Sequence, residues 1–406
     1  MINLYTGIVP NRDLQLINKL CEKLKGKSFL HVNSTREGGG VSEILQRMIP
    51  LLKAFEIDAQ WSIIKGDAKF FDITKKFHNA LQGNFEHIPD EMWQYHYDVT
   101  MQNVEMMDFD TDAVFIHDPQ PVPLVECRKG NKSSFWVWRC HIDISNPVPE
   151  IWDRMKQYVE RYQTSIFSVA RFSRALSIDE LFVTPSIDPL SDKNRELTQK
   201  EIDDVIEKYK IPLDKPVILQ VSRFDRFKDP IGVIKVYRMV KKYTDCQLIL
   251  AGSPATDDPE GEAVLNEVRE FAGDDPDIHI LLLPPFSDRE INALQRIASV
   301  VLQKSLKEGF GLTVSEAMWK EKPVIGGAVG GIPLQIVHGI TGFLVYSVEG
   351  AAFRVRQFLN NPDMAKRMGQ KGKEYVRDNF LITRQIRDYL SIWYALGCQK
   401  KRVIEL

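Results

Sequence analysis

Short apolar runs rich in β-branched residues recur through this sequence, each followed by a stretch of helical period. That alternation constrains the fold more than any other feature. In the first half the runs fall at Ser28–Val32, Trp61–Ile64, Ala113–His117, Ser134–Arg139, Ser165–Val169 and Leu181–Val183. In the second half they fall at Pro216–Val221, Gln247–Ala251, His279–Leu283, Ser299–Leu302, Pro323–Ile325 and Gly342–Val345. Strand followed by helix, repeatedly, builds parallel sheets wrapped by helices. The runs are apolar on successive residues, as strands covered on both faces require. Between the two series lies TPSIDPLSDKNRELTQKEIDDVIEKYKIPLDKP, rich in Pro, Asp, Ser and Lys, with no continuous apolar run before Val217. A domain boundary is therefore expected between Pro185 and Asp214. The expected architecture is α/β: two doubly wound, Rossmann-like domains of similar size facing each other across a cleft. Function in such sheets gathers at the carboxyl ends of the strands.

The 406 residues are long for a single core, which agrees with two domains. Lys plus Arg number 53 against 55 Asp plus Glu, a formal net charge of -2, which gives no bulk attraction to nucleic acid or to an anionic membrane. Cys21, Cys127, Cys140, Cys246 and Cys398 are scattered without CxxC spacing, so neither a disulfide framework nor a zinc site is expected. No basic stretch leads into an apolar one at the start, and no apolar segment approaches bilayer length. A soluble cytoplasmic protein is the expectation.

Three glycines interrupt HVNSTREGGGVSE just after the first apolar run. Beyond them Val41, Ile44, Leu45, Met48, Ile49 and Leu52 carry the spacing of one buried helix face. The glycines thus sit at a strand-to-helix turn, where free backbone N–H groups suit an anion. No Lys-Ser or Lys-Thr follows, so this is not a P-loop, and the spacing is not GxGxxG. A tight turn needing positive φ is the plainer alternative.

The second half carries more specific signals. QVSRFDRFKD follows its first strand and sets Arg223 and Lys228 in a loop before a helix. Two cations there suit a diphosphate, Arg by a forked bond and Lys as a point charge, although a solvated basic turn would look the same. In SLKEGFGLTVSEAMWKEKPVI, Glu308 follows a strand, Gly309 and Gly311 free the backbone, and Glu316 lies inside a helix beginning near Leu312. Both carboxylates are candidates for a polyhydroxyl ligand, and the helix N-terminus favours an anion. A third glycine-rich turn, GGAVGGIPLQ, follows the next strand.

Taken together, R-x4-K at Arg223 and Lys228, E-x7-E at Glu308 and Glu316, and the leading glycine loop resemble the retaining, nucleotide-sugar-dependent glycosyltransferases of family 4, which have the GT-B fold. Within that family HVNSTREGGGVSEIL, HDPQP, WRCHIDIS, PSIDPLSDKN and LQKSLKEGFGLTVSEAMWK are most similar to trehalose synthases that move glucose from a nucleotide sugar to glucose, and to retaining trehalose phosphorylases.

The resemblance implies a first domain of residues 1–185 and a second of residues 186–382, with a last helix over 383–406 crossing back onto the first domain and forming a hinge. It implies that Arg223 and Lys228 clamp the donor diphosphate, that Glu316 binds the ribose, and that Glu308 lies against the donor sugar. Backbone amides of Phe310, Gly311, Leu312 and Thr313 would meet sugar and phosphate. His141 would contact the sugar as a catalytic residue with Glu308, and Gly39 and Gly40, with Gly38, would close over the phosphates. Asn33, Arg36, Asp118 and Asp143 follow first-domain strands and are candidates for the acceptor, although Asp118 and Asp143 equally suit turns or caps. No metal at a protein site and no tightly bound cofactor are expected; nucleoside-diphosphate glucose is the donor substrate, and a divalent metal is at most stimulatory. A homodimer is implied. Retention proceeds by same-face attack or by double displacement on Glu308. Four other functions remain open: a phosphorylase, another family 4 glycosyltransferase with a different acceptor, a sugar-sensing protein without turnover, and a nucleotide-sugar epimerase.

Overall fold

Every apolar run becomes a strand. The computed structural model describes residues 2–36, 39–129, 134–252 and 261–399. The chain divides into two compact units, Met1–Ser186 with Ile382–Leu406, and Ile187–Leu381. The first unit holds β1 (Ser28–Asn33), β2 (Asp58–Ile63), β3 (Ala113–His117), β4 (Phe135–Cys140), β5 (Thr164–Phe167) and β6 (Asp179–Phe182). They form one six-stranded sheet in the order β2-β1-β3-β4-β5-β6, all parallel. The second unit holds β7 (Val217–Val221), β8 (Gln247–Gly252), β9 (Ile278–Leu282), β10 (Val300–Gln303), β11 (Val324–Gly327) and β12 (Phe343–Val345). Their order is β12-β11-β10-β7-β8-β9, again all parallel.

Strand order reverses direction between β1 and β3 in one sheet and between β7 and β10 in the other. At such a point successive crossover helices lie on opposite faces and leave a crevice at the carboxyl ends, the place where doubly wound sheets bind ligands. The central strands are buried along their whole length. The outer strand β2 begins at Asp58 rather than Trp61, and β6 at Asp179 rather than Leu181. Both are edge strands whose side chains are only partly covered, so their first residues carry no apolar signal.

One face of the first sheet lies under the chain's C-terminal helix. Ile382–Ile392, continued by a π-helical segment Trp393–Gln399, buries Ile386, Tyr389, Leu390 and Trp393. Trp393 meets Phe29 edge-on at 4.3 Å between ring centroids, and Tyr389 stacks on Phe115 at 5.3 Å. Each such side chain contributes about 2 kcal/mol by leaving water. Arg387 fixes the helix through a 2.6 Å bond to Asp13 of the helix Asn11–Leu24, and Arg384 donates to the carbonyls of Thr184 and Pro185. The residues expected to extend this helix beyond 399 lie outside the described residues. No described helix is long and apolar enough to cross a membrane.

Candidate active site

In the second unit the loops leaving β7 and β10 meet at the switch point. The β7 loop turns through a short 3-10 segment, Arg226–Lys228, into Asp229, whose φ of 51° bends the chain. Asp229 then caps the helix Pro230–Lys241, accepting from the Gly232 amide at 3.0 Å, and is ion-paired with Lys304. The Lys228 carbonyl accepts from Gln220 at 2.8 Å, so the backbone under the ammonium is fixed. Lys228 Nζ reaches Glu308 Oε2 at 2.7 Å, and Ser305 Oγ donates to the same oxygen at 3.1 Å. Arg223 stands 3.8 Å from Asp225 and is one-third exposed.

Around Glu308 the backbone is packed too closely for side chains. A Cβ on Gly330 would lie 1.6 Å from the Glu308 carbonyl oxygen, and one on Gly331 would lie 2.8 Å from that of Gly309. The glycine turn after β11 therefore exists to let two loops touch. Gly311, at φ +84°, starts the helix Leu312–Trp319, whose first N–H groups open toward the same loops. Gln335 holds that start in place, donating to the Phe310 carbonyl and accepting from Ser315. Phe310 is buried, edge-on to Phe380 at 5.5 Å, and Thr313 donates to the Val221 carbonyl at 3.2 Å. Glu316 is 3% exposed and accepts from Gln295 at 3.0 Å. The structure thus brings Lys228, Glu308 and a helix N-terminus together, with Glu316 on the inner side of that helix.

In the first unit the prominent feature is a column of three imidazoles. His31 Nδ1 lies 2.9 Å from His117 Nε2, and His117 Nδ1 lies 3.0 Å from His141 Nε2. Strand register explains it. His31 sits opposite Phe115, two residues before His117; His117 sits opposite Arg139, two residues before His141. Residues two apart share a face, so the three rings climb diagonally from β1 across β3 to the residue just past β4. Burial first, and then the neighbouring imidazoles and Arg139, hold His117 well below the usual histidine range. Burial and Arg139 do the same for His141, and burial alone brings His31 down to about 3. All three are neutral at physiological pH. Among the described residues no cluster of His, Cys, Asp or Glu is arranged to hold a metal ion.

Asp118 follows His117 with φ 64° and accepts from the His141 amide at 2.7 Å, so it orients the last residue of the column. Burial pushes its carboxyl up to about 7 against the opposing pull of that amide and of Arg139. Asp143 accepts from the Ser145 amide at 2.9 Å. The cap and turn reading of these two aspartates is therefore realised in at least one oxygen each. Asn33 has both amide ends occupied, donating to the Thr35 carbonyl and accepting from Trp61 Nε1, each at 2.7 Å. Arg36 is exposed and lies over the Trp61 ring. Gly39, at φ +84°, precedes the helix Gly40–Ala54, while Gly38 lies outside the described residues. His31 and His117 were not among the expected site residues. His31 lies within β1 and His117 ends β3, and their alignment depends on register, which no local spacing reveals.

Two doubly wound units with charged and glycine-rich loops at the switch points have the GT-B architecture, and residues 201–375 match the family model described as glycosyl transferases group 1. The protein is a glycosyltransferase. Residues 31–174 match the model of the trehalose synthase N-terminal domain. The trehalose synthase of Pyrococcus horikoshii is 46% identical over 400 residues, 97% of this chain and 96% of that protein. The chain belongs to the trehalose synthase family of glycosyltransferases. A trehalose phosphorylase of Pleurotus pulmonarius is 28% identical, covering 95% of this chain but 59% of its own length. The fold is shared with an α,α-trehalose-phosphate synthase (UDP-forming) from Burkholderia vietnamiensis at a TM-score of 0.73 and 12% identity, over 94% of this chain and 99% of that one.

Proposed function

We propose that this enzyme transfers glucose, with retention, from a nucleoside-diphosphate glucose to free glucose, forming α,α-trehalose. The observation that carries the reading is the meeting of Lys228, Glu308 and the N-terminus of the helix Leu312–Trp319 at the switch point of one sheet. A cation and a helix N-terminus stabilise the charge that develops on a departing diphosphate. Arg223 joins them from the same loop. Both bonds to Glu308 fall on Oε2, which leaves Oε1 for a hydroxyl of the donor sugar. Glu316 serves the ribose, and the amides of Phe310 to Thr313 serve sugar and phosphate. His141 contacts the sugar. The bond from C1 to the diphosphate oxygen breaks as the acceptor hydroxyl oxygen bonds C1 on the same face, and the hydroxyl proton passes to the leaving oxygen. No step requires a strong acid.

Phosphorolysis is the second reading, supported by the similarity to a trehalose phosphorylase. The same cations would then hold inorganic phosphate. Incubation with nucleotide-glucose and glucose, with products resolved by NMR, separates the two. Trehalose is the expected product. Glucose 1-phosphate from trehalose and phosphate, with no disaccharide from any nucleotide donor, would replace the first reading with the second. Glu308→Ala is expected to lower transfer by about a thousandfold while nucleotide-sugar binding, read by calorimetry, persists. Full turnover in that variant removes Glu308 from the mechanism.

A further inference from the structure

The column of imidazoles has a polarity. A neutral imidazole carries one N–H, so each ring donates with one nitrogen and accepts with the other. Three rings bonded nitrogen to nitrogen admit two arrangements of protons, running in opposite directions. The inner end chooses between them. His31 is wholly buried, and its Nε2 has no hydrogen-bond partner among the described residues. With protons running outward, that atom is a bare lone pair. With protons running inward, it is a buried N–H without an acceptor, which is the costlier defect. Arg139 is fully buried on the same face and adds a fixed positive charge beside the column, which opposes any third arrangement with a charged ring.

We propose that His31 and His117 are positioning residues that lock His141 as its Nδ1–H tautomer, through the bonds His31 Nδ1–H to His117 Nε2 and His117 Nδ1–H to His141 Nε2. His141 is the partly exposed end of the column, so it presents a hydrogen-bond donor, uncharged, at the carboxyl edge of the sheet. The consequence for transfer rests on the reading of His141 as a sugar contact. A neutral donor binds a sugar hydroxyl oxygen without placing a positive charge near an oxocarbenium-like centre, which an imidazolium would oppose. The Asp118 bond to the His141 amide fixes the backbone, while His117 fixes the ring.

The test is the nitrogen spectrum of histidine-labelled protein at pH 8, with the His141 signals assigned by their loss in His141→Asn. Wild-type His141 is expected to show a protonated Nδ1 and a bare Nε2; the opposite pattern overturns the proposal. His117→Leu removes the proton offered to His141 Nε2 and is expected to shift His141 toward the Nε2–H form, whereas His117→Asn, whose amide nitrogen replaces Nδ1, restores the wild-type pattern. An unchanged His141 in His117→Leu also overturns it. If that variant fails to fold, His31→Phe reads the same loss one ring further in, and the wild-type spectrum decides without either. In transfer, His117→Leu is expected to lose about tenfold in kcat with the donor KM nearly unchanged, the effect of one misdirected hydrogen bond, and His117→Asn to recover it. A tautomer shift with undiminished kcat would leave the column's role standing and remove His141 from the sugar.

Discussion

Asp118 sits where the loop after β3 meets the loop after β4, and its carboxyl is caught between two demands. Its Oδ1 must accept the His141 amide, yet its burial makes a charge there expensive. With a folded value near 7 against about 3.9 in the unfolded chain, the native state holds a proton that the unfolded state has already lost between those pH values. Raising pH through that window therefore removes stability, and the cost is complete above about pH 7. Asp118→Asn keeps an acceptor for the amide and removes the titration. Its stability advantage over wild type is expected to grow from near zero at pH 4 to a plateau above pH 7, on the order of 4 kcal/mol at most. The buried histidines shift stability in the opposite sense, since their folded values are lowered, but they do so in both proteins and cancel in the difference. Melting temperatures of the two proteins across that range check it; a constant difference would place the Asp118 carboxyl outside the buried, titrating state.

Elements rather than residues decide how closely the two loops of the proposed donor site approach. Gly330, at φ +54°, has no room for a Cβ because the Glu308 carbonyl occupies that space. Gly273, at φ +64°, has the same kind of backbone and nothing within 4 Å. Gly273→Ala is expected to cost about 1 kcal/mol from left-handed strain alone and leave transfer unchanged. Gly330→Ala is expected to cost about 3 kcal/mol or more and to weaken nucleotide-sugar binding, because the displaced segment carries Glu308. Denaturant titration and calorimetry of the pair separate strain from collision, and equal costs would show that the loops do not need to touch. This level was largely legible in the sequence. Central strands, buried throughout, announced themselves as unbroken apolar runs, and the edge strands β2 and β6 lost only their polar first turns. Glycine turns at strand ends pointed to close approach, though not to which partner. Gly330 could not be matched to Glu308 because that pairing depends on how two loops fold over one sheet. The imidazole column was hidden for the same reason: His31, His117 and His141 belong together only once β1, β3 and β4 are in register.

At the scale of the whole molecule, the chain leaves its first unit once and returns once. It leaves after Ser186 and returns at Ile382. The second unit closes its own ends: the Ile187 amide donates to the Phe380 carbonyl at 2.9 Å, and Ile187 bridges Leu381. Its core is continuous from Ile218 and Phe224 to Val355 and Phe358. The donor candidates from Arg223 to Glu316 lie inside it, while Gly39 and Gly40 belong to the first unit. The first unit is in the opposite position, because Tyr389 and Trp393 cover Phe115 and Phe29, and no chain that stops before Ile382 supplies them. Residues 187–381 expressed alone are therefore expected to fold with a single cooperative melt and to bind a nucleoside diphosphate within about tenfold of the full chain. Residues 1–186 alone are expected not to fold, since loss of that helix uncovers an apolar sheet face at about 2 kcal/mol per large side chain. Circular dichroism and calorimetry on the two fragments decide both points. A folded second unit that fails to bind the diphosphate would move essential donor contacts into the other unit, and the reading of Arg223 and Lys228 as the diphosphate clamp would fall with it.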